Sequence, residues 1–183
     1  IDSPGGLVAP SQEIYQAIKQ ADAKIPVIAS MAAVGASGGY YAALGARKIF
    51  ANPGTLTASI GVIMEFLNAE KLYQWAKLDR YTLKAGRFKD VGTTLRSMKP
   101  EERELMMTLL NDIHNQFKAV VKERRGLNDQ QLQNLADGRV LIAGGYTVSP
   151  SAAAGAEGAG SVLETAELYD PVTGRFSPTG SMT

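Results

Sequence analysis

No charged residue occurs between Lys24 and Arg47. A stretch of that length would suit a membrane helix, which needs about 20 consecutive apolar residues. Its content forbids one: Pro26, the glycines at 35, 38, 39 and 45, two serines and two tyrosines break it into pieces. Pro26-Val27-Ile28-Ala29 predicts a short buried strand, Gly35-Ala36-Ser37-Gly38-Gly39 a tight turn, and Tyr40 to Ala46 a helix of small and aromatic residues fit for close packing. Ser37 then stands at the head of that helix, where free N–H groups and the positive dipole end gather. The flanking glycines let backbone approach a bound group closely. Two readings stay open at this point: a helix N-cap, or a nucleophile presented beside an oxyanion site.

The flanking residues supply more strands and helices in alternation. Ile1-Asp2 reads as the end of a strand and Ser3-Pro4-Gly5-Gly6 as a turn; Pro10 opens a helix with Ile14, Ala17, Ile18 and Ala21 on one face. Lys48 to Ala51 predicts a strand, Asn52-Pro53-Gly54 a turn, and Ile60 to Ile63 another short apolar run. A helix is expected from about Asn68 with Leu72, Trp75 and Ala76 inward, then a strand over Tyr81-Thr82-Leu83 and a polar loop from Lys84 to Asp90. Pro100 to Arg125 carries the strongest helical pattern, with Leu105, Leu109, Ile113, Phe117 and Val121 four apart, and Asp129 to Leu135 predicts a short further helix. Such alternation implies an α/β fold with a mostly parallel sheet, whose ligand site lies at the carboxyl ends of the strands. Gly5-Gly6 and Ser37 both occupy strand-to-helix turns at that edge.

The charged residues divide the chain. Lys and Arg total 19 and Asp and Glu 18, but beyond Val140 only Arg175 opposes Glu157, Glu164, Glu167 and Asp170. That shift, together with the Gly/Ala/Ser-rich stretch that follows, sets an expected boundary within Ala136 to Gly144: a first domain over residues 1–140 and a β-like segment over residues 141–183. The net charge of +1 suggests no nucleic-acid partner. The absence of cysteine and the single histidine rule out a thiolate or multi-histidine metal site, and no cofactor is expected. A serine nucleophile needs a base. His114 sits mid-helix and reads as a packing or surface residue. The alternative is a lysine able to shed its proton, and Lys84 and Lys89 are the candidates outside the obvious helices.

Four motifs in order carry a resemblance: Ser3-Pro4-Gly5-Gly6, Gly35 to Tyr41, Leu56-Thr57-Ala58-Ser59-Ile60-Gly61-Val62, and Gly86-Arg87-Phe88-Lys89-Asp90. Together they are similar to the bacterial signal peptide peptidase A family over about residues 1–140, with Ala136 to Val140 matching as well. The resemblance implies a Clp-protease/crotonase-like fold and a Ser-Lys dyad, with Ser37 as nucleophile and Lys89 as general base. It implies that Ser59 orients the lysine and that Gly6 and Gly38 supply the oxyanion N–H groups. It further implies a serine endopeptidase that degrades cleaved signal peptides or other membrane-associated peptides, cut beside small or apolar residues. The family works as a homo-oligomer at the bacterial cytoplasmic membrane, anchored by an N-terminal segment, with its catalytic domain extracytoplasmic. Because the chain opens at Ile1 without an initiator methionine, a truncated piece lacking upstream strands and the anchor is expected.

After Val140 the pattern departs from that family. Leu141 to Gly145 and Thr165 to Phe176 resemble one kelch repeat, a β-propeller blade, and predict a small C-terminal β-hairpin with a loop over residues 149–160 and a turn at residues 170–174. Two other functions fit the residues less fully: a non-catalytic scaffold with a kelch-like interaction tail, and a crotonase-type enzyme acting on acyl-coenzyme A, which would not need Ser37 or Lys89.

Overall fold

A computed structural model describes residues 1–136, 140–147, 161–170 and 175–181. The loop expected over residues 149–160 and the turn beyond Asp170 lie outside the described residues, as do residues 137–139 of the expected boundary. The elements run α1 (Val8–Asp22), β1 (Ile28–Ser30), β2 (Val34–Ala36), α2 (Gly38–Ala43), β3 (Lys48–Phe50), β4 (Leu56–Ala58), α3 (Glu70–Trp75), α4 (Pro100–Arg125), α5 (Asp129–Ala136), β5 (Val140–Thr147), β6 (Ser161–Asp170) and β7 (Arg175–Ser181). The chain forms two compact units, Ile1–Gly61 with Gln116–Thr183, and Val62–Asn115.

In the first unit the chain lays one strand in each of two parallel sheets, passes through α2, and repeats the pair. β1 pairs with β3, Ala29 opposite Ile49, and β2 pairs with β4, Ala36 opposite Ala58. Ser3 adds a parallel bridge to Gly35 on the free side of β2. The corners between sheets are stitched by backbone and hydroxyl groups: Met31 N–H donates to the Phe50 carbonyl at 2.8 Å, and Thr55 Oγ1 donates to the Ala32 carbonyl at 2.7 Å. The α/β class with parallel pairing is as expected. The sheet is divided into two short pairs because each strand is only three residues long and turns a corner directly after it.

α2 lies at the centre of the core. Gly39 to Ala46 are all buried, and Tyr15 packs edge-on against Tyr41, ring centres 5.3 Å apart, with Phe117 4.9 Å beyond. Val121, Leu132 and Leu135 complete the cluster. Arg124 donates from Nε to the Leu44 carbonyl at 2.8 Å and from a terminal nitrogen to the Ala46 carbonyl at 3.2 Å, satisfying carbonyls that a helix end leaves without partners.

Several expectations are corrected. α1 begins before Pro10 and buries Ser11 and Tyr15, whereas Ile14 is exposed; the tyrosine's ring contact with Tyr41 sets the inward face. The strand after Pro26 is not buried as a whole, since only Ala29 points inward and Ile28 is exposed. α3 buries none of its residues, and Trp75 is 82% exposed. Tyr81 to Leu83 is not a strand: no neighbouring strand pairs with it among the described residues, and an unpaired strand leaves its backbone groups without partners. The C-terminal segment has three antiparallel strands in the order β5-β6-β7 rather than a hairpin, because the chain after Gly174 returns along β6. α4 matches its expected bounds, and α5 runs one residue past its expected end, to Ala136.

The second unit is fastened by charge rather than by a core. Arg96 binds Glu102 with two nitrogens, at 2.5 and 2.8 Å, and reaches Asp90 at 3.0 Å. Lys84 and then Arg96 hold the Asp90 carboxyl at about 2; Arg96 and then the Lys99 amide hold Glu102 at about 2. Both lie below the usual carboxylate range near 4. A depressed carboxylate adds stability above its unfolded value, and that stability is lost as pH falls from about 4 toward 2. Arg96→Met should therefore lower the urea midpoint at pH 7, and the gap from the parent should close as pH drops through that window. A gap of constant size down to pH 2, followed by circular dichroism, would show the pairing to be inert.

Candidate active site

Three turns converge at the carboxyl ends of adjacent parallel strands. Gly5 and Gly6 follow the Ser3 bridge, Ser37 follows β2, and Ser59 follows β4. Such an edge is where parallel α/β sheets place their ligands.

Ser37 holds φ 51° and ψ −119°, a conformation that costs a non-glycine residue on the order of 1–3 kcal/mol. Its backbone is fixed on both sides, since its N–H donates to the Ala58 carbonyl at 2.8 Å and its carbonyl accepts from Tyr41 N–H at 2.8 Å. Its hydroxyl makes no capping hydrogen bond. An N-cap residue takes an extended backbone and turns its oxygen onto the helix; Ser37 does neither. The half-buried side chain is held out of the helix and left available for chemistry.

The glycines around it are required by close approach. Gly5 has φ +128°, and a side chain there would meet Ser37 Cβ at 2.7 Å and Oγ at 3.0 Å. A side chain on Gly38 would strike the Ser11 hydroxyl and come within 3.1 Å of the Gly6 nitrogen, and one on Gly39 would meet the Ser3 carbonyl at 2.9 Å. The structure thus brings Gly6, Gly38 and Ser37 together. The Ser37 N–H is spent on Ala58, and among the described residues no hydrogen bond is drawn from the Gly6 or Gly38 N–H, the Gly6 nitrogen lying beside Gly38. Ser3 fixes the first turn: its Oγ accepts from Gly5 N–H at 3.2 Å. Ser59 comes directly after Ala58, exposed and with φ 52°.

Two neighbours escape the sequence reading. Gly5 touches the serine more closely than Gly6 does, and only its place in the Ser3-to-Gly6 motif signals it. Ser11, buried and donating to the Leu7 carbonyl at 2.8 Å, backs Gly38; on a helix it looks like an ordinary polar residue.

Lys89 lies in the second unit, exposed, on a loop closed by Lys89 N–H to the Gly86 carbonyl at 3.4 Å. Lys84 is committed elsewhere: its ammonium pairs with Asp90 and donates to the Arg87 carbonyl at 3.1 Å. Lys89 has no ion pair among the described residues. His114 is half-buried on α4. No group of side chains suited to a metal ion occurs among the described residues, and no helix among them is long and apolar enough to cross a membrane.

Gly5→Ala should destabilise the protein by about 2 kcal/mol, from strain and from the clash with Ser37. Gly6→Ala, with open space around the position, should change stability by less than about 0.5 kcal/mol. Urea unfolding of the two variants side by side checks this; equal losses would overturn the close approach at Gly5.

Residues 19–145 match the family model described as Peptidase family S49. A candidate protease of Synechocystis sp. is 42% identical over 141 residues, 77% of this chain and 51% of that protein. A chloroplastic serine protease of Arabidopsis thaliana is 37% identical over 76% of this chain and 21% of its own length. A candidate signal peptide peptidase of Enterococcus faecium is 34% identical over 76% and 41% respectively. The chain thus spans about half, or less, of the length of these relatives.

Proposed function

This chain belongs to peptidase family S49, and from that membership we propose that it carries a serine peptidase site with a Ser-Lys dyad. The observation that carries the reading is Ser37 itself: a serine with a strained backbone and an uncapped hydroxyl, set against Gly5, Gly6 and Gly38. In the proposed reaction Ser37 Oγ forms a bond to the scissile carbonyl carbon while Lys89 takes the hydroxyl proton. The N–H groups of Gly6 and Gly38 bind the resulting oxyanion. The intermediate collapses, the C–N bond breaks, and Lys89 returns the proton to the departing amine. Water repeats the sequence on the acyl-serine and releases the acid. Ser59 orients Lys89. The commitment of Lys84 to Asp90 favours Lys89 over Lys84 as the base.

The substrates are extended peptides with small or apolar residues at the cut, cleaved signal peptides among them. The one relative above whose name mentions signal peptides supports that class. The assembled enzyme is a homo-oligomer held at the membrane, its catalytic domain extracytoplasmic, and the dyad is completed between protomers. We propose the segment after Val140 as a kelch-like addition to the peptidase domain, within the compact unit that Gln116–Thr183 forms with Ile1–Gly61.

A fluorophosphonate probe on the full-length protein tests the core of this reading. Ser37 should be labelled, Lys89→Ala should lose about a hundredfold or more in peptide hydrolysis, and His114→Ala should keep its rate. Full activity in Lys89→Ala with loss in His114→Ala would refute the dyad. Mixed oligomers of Ser37→Ala and Lys89→Ala should regain activity; no recovery with subunit exchange demonstrated would refute a site shared between protomers.

A further inference from the structure

Positions 84, 90, 96 and 102 carry Lys, Asp, Arg and Glu, six residues apart and alternating in sign. In the second unit they form one continuous chain of ion pairs. Lys84 pairs with one oxygen of Asp90, Arg96 takes the other at 3.0 Å, and Arg96 closes on Glu102 with two bonds. Glu102 is on the first turn of α4 with a side chain only 2% exposed, and its Oε2 also accepts from Lys99 N–H at 2.9 Å. The series therefore runs from a buried anchor on the longest helix out to an exposed loop.

That loop is the one bearing Lys89. Lys84 also donates to the Arg87 carbonyl at 3.1 Å, so the backbone is gripped two residues before Lys89 and, through Asp90, one residue after it. The Val91 N–H to Phe88 carbonyl bond, 3.2 Å, closes the turn between these grips. Asp90 is thus held from both sides, one oxygen by Lys84 and the other by Arg96, and Arg87 lies 3.5 Å from Glu101 on the first turn of α4.

We infer that Lys84, Asp90, Arg96 and Glu102 are positioning residues that hold Lys89 in place. The inference rests on the reading of Lys89 as the general base. It assigns Lys84 a function that is not proton transfer: its ion pair with Asp90 braces the loop that carries the next lysine along the chain.

Peptide hydrolysis by the full-length protein tests it, with thermal unfolding run on every variant. Lys84→Met should lower kcat by about ten- to a hundredfold while KM stays within twofold. Lys84→Arg, which keeps the pairing with Asp90, should recover most of the rate. Asp90→Asn should fall by a similar factor, and the Lys84→Met/Asp90→Asn double variant no further than the lower single, because both cut one link. An unchanged kcat in Lys84→Met, no recovery in Lys84→Arg, or losses that multiply in the double variant would each overturn the inference. If Lys84→Met melts at assay temperature, Asp90→Asn and Lys84→Arg decide by the same criteria. Lys89→Ala separates the two levels. An inactive Lys89→Ala beside an undisturbed Lys84→Met leaves the base in place and removes only the brace, whereas an active Lys89→Ala removes the base itself.

Discussion

The first unit depends on how closely α2 can be approached. A buried helix approached this closely by backbone needs small residues at the points of contact, and Gly38, Gly39, Ala42 and Ala43, with Gly45 just past its end, provide that. At Gly45 the neighbour is the Tyr15 carbonyl, where a methyl group would sit 2.6 Å away; at Gly39 it is the Ser3 carbonyl. These contacts join α1, the first turn and β2 to one short helix. Bulk comes from Tyr40 and Tyr41 of α2 itself and from Tyr15, Phe117 and Val121 packed around it, so the small positions are those where neighbouring backbone comes closest. Widening the helix there would move the turn that carries Ser37 together with the two glycines beside it.

The elements most legible in the sequence were those whose pattern is long or whose chemistry is local. α4 carries a repeat sustained over 26 residues with Pro100 at its start, and both ends could be read. The glycine turn at Ser37 was legible because glycine pairs there have few other uses, but the strand that leads into it, β2 over Val34–Ala36, was not: Gly35 and Ala36 read as part of the turn. What could not be read was direction. Ile14 outranks Tyr15 in hydrophobicity, yet the tyrosine faces inward because Tyr41 waits for it, a contact 26 positions away in sequence. Leu72, Trp75 and Leu83 look like core residues and are exposed in the second unit; hydrophobicity alone does not say what will cover a side chain.

The site divides in the same way. Ser37 stood out in the sequence because it sits in a glycine turn, whereas Gly6 and Gly38 were assigned only through the family resemblance; the structure brings the three together. Gly5 was hidden inside a motif already assigned, and Ser11 had no signal at all, since its role is only to stand behind Gly38. The alternating charges from Lys84 to Glu102 are plain once the bonds are drawn, but a six-residue spacing is off the helical period, and the intervening residues carry no strand alternation that would single them out.

The backbone of Ser37 has one more implication. A residue at φ 51° and ψ −119° is strained by its own Cβ, and glycine there would relax the turn. Ala58 and Ser59, on the neighbouring turn, share this kind of backbone. At the edge where the turns converge the fold is therefore less stable than glycine would make it, and at Ser37 the strain comes with a hydroxyl group that glycine lacks.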